Sequence, residues 1–178
     1  MQKLNKNKRK IIGIGVIGMG WMGMAHSRSY RNVVERFPDL AVDPKLVACA
    51  DEVVERGQSA QDRFGFMYST QNWQRLISDD EIDVITVATP NSRHLEIVTS
   101  AVRAGKHVFC EKPVGRTPIE TQHMADLSSR AGIISGVGYN YRWSPMVQYA
   151  HQLIKEGKLG KVTHYRGRFF SSYASNLW

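Results

Sequence analysis

Cysteine is nearly absent: Cys49 and Cys110 are the only two in 178 residues. Two thiols set in apolar, strand-like runs form neither a metal-ligand spacing nor a disulfide framework. No metal is therefore expected, the stapled folds of small secreted proteins are excluded, and a reducing, cytoplasmic setting is expected. Apolar runs free of glycine and long enough to span a bilayer are also missing, so no membrane partner is expected. The run from Ile11 to Ala25, IIGIGVIGMGWMGMA, follows a basic start and imitates a secretory signal. Glycine breaks it repeatedly, however, and cleavage near Ala25 would remove the strongest motif in the chain. Internal repeats and low-complexity segments are lacking as well, which excludes solenoids and fibrous classes.

Acid is the minority charge, with 16 acidic against 24 basic residues and a net charge of +8. The excess is local. Lys3, Lys6, Lys8, Arg9 and Lys10 all fall in the first ten positions, and without those five the net charge drops from +8 to +3. This reads as a solvated, disordered leader over residues 1–10 rather than a polyanion-binding face, so nucleic acid is not an expected partner.

What is present is an alternation of apolar, strand-like runs with amphipathic helical stretches, the pattern of a parallel sheet covered on both faces. Strands are expected at Ile11–Ile17, Leu46–Ala50, Phe66–Tyr68, Asp83–Ala88, His107–Cys110 and Ile133–Val137. Phe37–Lys45 holds Pro38 and Pro44 and reads as a loop. Helices are expected over Trp21–Arg36, Val53–Phe64 and Asn72–Ile77, then from Ser92 to Gly105 and from Thr117 to Gly132. In the fourth, Leu95, Val98, Ala101 and Val102 repeat at three and four residues, which makes one apolar face. In the fifth, Thr117, Pro118 and Glu120 spell a capped N-terminus. After Gly138 the pattern changes to a helix over Ser144–Glu156 and a longer strand over Val162–Phe170. The expected fold is α/β: a doubly wound parallel Rossmann sheet over residues 11–138. It is followed over 139–178 by the truncated start of an α+β substrate domain.

The glycine turn Gly18-Met19-Gly20-Trp21-Met22-Gly23 joins the first strand to the first helix, and Asp51 ends the second strand 28 positions after Gly23. In that context the spacing has a physical reading. The first glycine makes the tight turn, the second lets backbone amides approach a pyrophosphate, and the third lets helix and strand pack closely. Asp51 is placed to accept from both ribose hydroxyls of an adenosine. Glu52 beside it would oppose a 2′-phosphate, which favours NAD over NADP, although Arg56 lies one helical turn away and works in the other direction.

These motifs, with Thr89-Pro90-Asn91-x-x-His94 and Glu111-Lys112-Pro113 in the same order, resemble the glucose–fructose oxidoreductase / inositol 2-dehydrogenase / rhizopine-catabolism family over about Ile11 to Phe170. The resemblance implies an NAD-dependent dehydrogenase acting on a hydroxyl of a sugar, cyclitol or polyol. It implies that Lys112 is the catalytic contact to that hydroxyl and that Glu111 sits near the nicotinamide. Asn91 and His94 would flank the cofactor, and Asn140 and Arg142 would face the substrate. A partly desolvated lysine suits the chemistry, because hydride leaves a carbinol carbon only as the hydroxyl proton is taken up. Relatives in this family are longer, are homo-oligomers, and supply an aspartate and a histidine from a second domain; His151 and His164 do not lie in that motif. A catalytically inactive dinucleotide-binding or sensor protein therefore stays open as the alternative.

Overall fold

The computed structural model describes residues 9–170. The basic leader expected over 1–10 lies outside the described residues as far as Lys8, and its last two residues belong to the fold. Arg9 donates to the Pro38 carbonyl at 2.7 Å, and Lys10 opens the first strand.

Six strands make one parallel sheet: β1 (Lys10–Ile17), β2 (Val42–Ala50), β3 (Tyr68–Thr70), β4 (Val84–Val87), β5 (His107–Cys110) and β6 (Ser135–Val137). Their order is β3-β2-β1-β4-β5-β6. This is the doubly wound order, in which the chain leaves β1 in one direction and returns to its other side at β4. The helices α1 (Trp21–Arg36), α2 (Val54–Phe64), α3 (Gln74–Ile77), α4 (His94–Arg103) and α5 (Pro118–Arg130) make the crossovers. Buried residues divide into two clusters, as expected for a sheet covered on both faces. One gathers Ile14, Val16, Met19, Cys49, Ala60 and Phe64, and the other Ile17, Ile85, Val87, Ile97, Val102 and Met124.

Three local outcomes differ from the sequence pattern. The loop expected over Phe37–Lys45 is half strand, because β2 begins at Val42 and pairs Pro44 with Ile12 of β1. Proline is tolerated there because β3 pairs only with Ala48–Ala50, so the outer side of β2 has no strand to receive a donor at Pro44. A register shift between Ile14 and Gly15 inserts Val47 as an extra residue in β2. The Glu120 carboxylate accepts from the Arg116 amide at 2.8 Å and not from the amide of the N-cap residue, Thr117. The Thr117 hydroxyl caps α5 as expected, accepting from the Glu120 amide at 3.2 Å.

The described residues fall into two compact units, divided in sequence between Gly138 and Tyr139. The second holds a 3-10 turn (Asn140–Trp143), helix α6 (Pro145–Lys155) and an irregular segment onward to residue 170. The strand expected over Val162–Phe170 does not form. Its residues are exposed, and among the described residues no strand pairs with it, so its amides and carbonyls have no ladder to join.

Candidate functional site

A cavity of about 660 Å³ opens at the carboxyl ends of β1, β2 and β4, where the strand order reverses. Open parallel sheets place ligands at this crevice. Its floor and rim include Gly18, Gly20, Trp21, Met22, Asp51, Thr89 and Pro90.

The three glycines of the turn have different structural reasons. Gly18 has φ +92°, and a Cβ there would lie 2.7 Å from the Ala88 carbonyl, so both backbone angle and space require glycine. A Cβ on Gly23 would lie 1.9 Å from the Gly18 carbonyl oxygen, and its absence lets α1 start directly against β1. A Cβ on Gly20 would meet nothing within 4 Å. The protein itself does not need glycine at position 20; what a side chain there would obstruct is the open cavity.

Gly20 is also the N-cap of α1. No side chain caps this helix, and no acid stands in its first turn. The leading N–H groups of a 16-residue helix therefore face the cavity with the positive end of the helix dipole. Across the cavity, Thr89 Oγ1 is fully enclosed and has no hydrogen-bond partner. An uncapped helix start, a glycine with free space above it and an orphaned hydroxyl fit a ligand that brings phosphate oxygens and polar groups. A nicotinamide dinucleotide meets that description, and when bound it supplies the hydride acceptor.

Asp51 is tied into the turn. One carboxylate oxygen accepts from the Met19 amide at 2.7 Å and the other from the Val53 amide at 2.9 Å. Arg56 Nη1 approaches the second oxygen at 4.0 Å. Both oxygens keep lone pairs for further donors, since a carboxylate accepts about four hydrogen bonds. Glu52, Arg56, Gln71 and Trp73 complete this side of the cavity. Gln71 and Trp73 were not picked out in the sequence. The signal for them is positional: they follow β3, whose end lies beside that of β2.

Several expected site residues lie outside the cavity lining. Met19 buries its side chain in the core at 3% exposure and contributes only its amide, already held by Asp51. Gly23 is packing. Asn91 sits on a 3-10 turn (Asn91–Arg93), and its neighbours Ser92 and Arg93 line the cavity in its place. His94, expected to flank the cofactor, is 1% exposed and turned inward. Its Nε2 faces the Thr89 carbonyl at 2.9 Å, and its Nδ1 faces the carbonyls of Pro113 and Val114 at 3.0 and 3.1 Å. The reason is its place on the first turn of α4, which points the ring beneath the loops rather than into the crevice.

Glu111 is 5% exposed and bonded to His26 Nε2 of α1 at 2.8 Å. Lys112 is exposed at the end of β5, one strand beyond β4, and the Lys112–Pro113 peptide bond is cis. Asn140 and Arg142 are exposed on the turn that opens the second unit. Both thiols are pushed up to about 12, by burial first and then by the charge of Asp51 on Cys49 and of Glu111 on Cys110. Neither supplies a thiolate near neutral pH. Among the described residues, no group of three or more His, Cys, Asp or Glu side chains is gathered to hold a metal ion, and no helix is long and apolar enough to cross a membrane.

A doubly wound sheet with an uncapped glycine turn at its switch point defines a dinucleotide-binding domain. Residues 12–139 match the model of the oxidoreductase family with NAD-binding Rossmann fold (Gfo/Idh/MocA), and the chain belongs to that family. Levoglucosan dehydrogenase of Pseudarthrobacter phenanthrenivorans is 37% identical over 165 residues, 93% of this chain but 42% of that protein. Inositol 2-dehydrogenase of Salmonella typhimurium is 26% identical over 160 residues, 89% of this chain and 46% of that protein. The solved structure of a levoglucosan dehydrogenase in complex with NADH and levoglucosan superposes with TM-score 0.82 at 39% identity, covering 85% of this chain and 41% of that one. The chain thus spans less than half the length of the curated relatives it matches.

Proposed function

We propose that this chain is the cofactor-binding part of an NAD-dependent dehydrogenase that oxidises a hydroxyl of a sugar, cyclitol or polyol. The carrying observation is the cavity at the sheet's switch point, where the uncapped start of α1, the enclosed Thr89 hydroxyl and the Asp51 carboxylate converge. In this reading the first turn of α1 holds the pyrophosphate and Asp51 holds the adenosine ribose. Glu52 places a negative charge where a 2′-phosphate would go, which favours NAD over NADP.

Lys112 is the residue we assign to the reacting hydroxyl. Hydride leaves the carbinol carbon for the cofactor while Lys112 Nζ, as a free amine, accepts the hydroxyl proton or relays it onward to solvent, and a carbonyl product remains. Asn91 and Glu111 belong to the nicotinamide side, Asn140 and Arg142 to the substrate side. The levoglucosan and inositol dehydrogenases among the relatives support a cyclic polyhydroxylated substrate. Residues 11–138 are then the dinucleotide-binding domain and 139–178 the beginning of a substrate domain. We place the protein in the cytoplasm, where two free buried cysteines are at ease, with small-molecule partners and no nucleic acid; homo-oligomers are what the resemblance implies for its full-length relatives.

A second reading, cofactor binding without turnover, is favoured by the exposure of Lys112 and its position outside the cavity lining. NADH fluorescence titration followed by a panel of sugars and cyclitols separates the two. Hydride transfer that Lys112→Ala abolishes, with NADH affinity kept within about twofold, supports the dehydrogenase. Binding with no turnover on any substrate supports the second reading, and no binding refutes both.

A further inference from the structure

A half-buried histidine, His26, and a buried one, His94, converge on the segment that carries Lys112, and neither lines the cavity. We propose that His26 of α1 and His94 of α4 are positioning residues, which fix the segment Glu111–Val114 from its two ends and so place Lys112. The proposal rests on the reading of Lys112 as the group that meets the substrate hydroxyl.

The first grip is on Glu111. His26 Nε2 donates to Glu111 Oε1 at 2.8 Å, and Glu111 Oε2 accepts from the amide of Lys112 itself at 3.2 Å. The carboxylate thus relays the position of α1 to the backbone of Lys112. The arrangement is enclosed. His26 stands edge-on to the Phe109 ring with centroids 5.1 Å apart, and a Cβ at Gly138 would lie 2.5 Å from Glu111 Oε1. In such a water-poor setting a bond to a carboxylate is stronger and more directional than at the surface.

The second grip is on the far end. His94 faces the carbonyls of Pro113 and Val114 with Nδ1 and the carbonyl of Thr89 with Nε2. Thr89 lines the cavity, so this ring ties the Lys112 segment to the cavity rim. Carbonyls only accept hydrogen bonds. One ring nitrogen with a proton satisfies one side, and protons on both satisfy both.

The need for two grips follows from what a lysine is. Its four-carbon stem is mobile and Lys112 is exposed, so the protein controls Nζ chiefly through the backbone it hangs from. A reacting group displaced by about 1 Å loses on the order of a hundredfold in rate. Holding Glu111 at one end and Pro113–Val114 at the other fixes the position and direction of the intervening α-carbon.

Side-chain amides test each grip separately. Gln reproduces a donor at the ε position of histidine and Asn one at the δ position. The 178-residue chain is prepared as His26→Gln, His26→Asn, His94→Asn and His94→Gln. Each is measured by amide hydrogen exchange at Lys112, by the carbonyl carbon chemical shifts of Pro113 and Val114, and by NADH titration. His26→Gln should exchange within about threefold of the parent at Lys112, while His26→Asn, too short to reach Glu111, should exchange at least about tenfold faster. His94→Asn should hold the Pro113 and Val114 carbonyl shifts near those of the parent, and His94→Gln should move them. NADH affinity should stay within about twofold throughout.

Equal behaviour of Asn and Gln at either position overturns the proposal for that histidine. So does faster exchange spread over the whole sheet, which would make the rings ordinary core residues. Where turnover is measurable, the released variants should lower kcat and leave the KM for NAD unchanged. Loss of turnover in Lys112→Ala tests the underlying assignment of Lys112, which can fail while the exchange pattern stands.

Discussion

Replacing Gly20 with alanine should separate cofactor binding from folding in a single methyl group. The position has φ −71° and ψ −163°, which alanine adopts without strain, and a Cβ there meets nothing within 4 Å. Two small effects on stability oppose each other. Alanine is a poorer N-cap than glycine by roughly 0.5–1 kcal/mol. It also removes about 0.4–1 kcal/mol of unfolded-chain entropy. The sum is near zero, so the urea midpoint, read by tryptophan fluorescence, should scarcely move. The added methyl instead occupies the space above the first amides of α1, where phosphate oxygens must approach to hydrogen-bond distance. NADH affinity should fall at least about tenfold, or about 1.4 kcal/mol. Gly23→Ala is the contrast. Its Cβ would stand 1.9 Å from the Gly18 carbonyl oxygen, so the turn itself must move. Overpacking of that kind costs about 1–3 kcal/mol or more, and stability and affinity should fall together. If Gly20→Ala binds NADH within twofold of the parent, phosphates do not approach over Gly20 and the reading of the turn is wrong. If it unfolds as easily as Gly23→Ala, the account of open space is wrong.

Removing the charge at the cavity edge with Glu52→Gln should shift the ratio of NADP to NAD affinity about tenfold toward NADP, measured by paired titrations; an unchanged ratio refutes the charge argument. The two thiols should resist Ellman's reagent at pH 8 in the folded chain and react fully in urea, because burial holds them up to about 12. Their ionisation has a definite sign for stability. The unfolded thiols ionise first as pH rises, so stability should decline from about pH 9 toward 12, and a rise over that interval would contradict it. Asp83→Ala removes the carboxylate that accepts from the Gly13 amide at 2.7 Å, at the opposite end of the sheet from the cavity. It should cost about 1–2 kcal/mol by urea unfolding and leave NADH affinity unchanged.

The sheet was readable from sequence wherever one residue pattern served one purpose. Buried parallel strands such as Leu46–Ala50 are continuous apolar runs, and α4 shows its core face in the spacing of Val98, Ala101 and Val102. The start of β2 was hidden because Pro44 argues for a loop, and only the absence of an outer neighbour at that point makes it acceptable. Val162–Phe170 alternates like a strand, yet alternation does not supply a partner. At the site, the glycine turn, Asp51 and Thr89 were visible because their positions follow strands. His94 and Glu111 were placed near the cofactor by the family resemblance, and no local pattern says which way either side chain turns. That direction is decided by hydrogen-bond partners, the Pro113 carbonyl for His94 at its helix start and His26 for Glu111 at its strand end, which lie far away in sequence.

The bond from the Met19 amide to Asp51 carries a consequence for how such a domain can be retooled. The carboxylate assigned to the ribose is also a brace for the phosphate turn, so the two recognition tasks share one atom group. Any lineage, natural or engineered, that exchanges Asp51 to accept a different nucleotide also loosens the loop that grips every nucleotide. Changing Glu52 first leaves that brace intact. With the ribose assigned to Asp51, position 52 is the low-barrier route to a new cofactor preference, and position 51 is a step that calls for a second, repairing change in the turn.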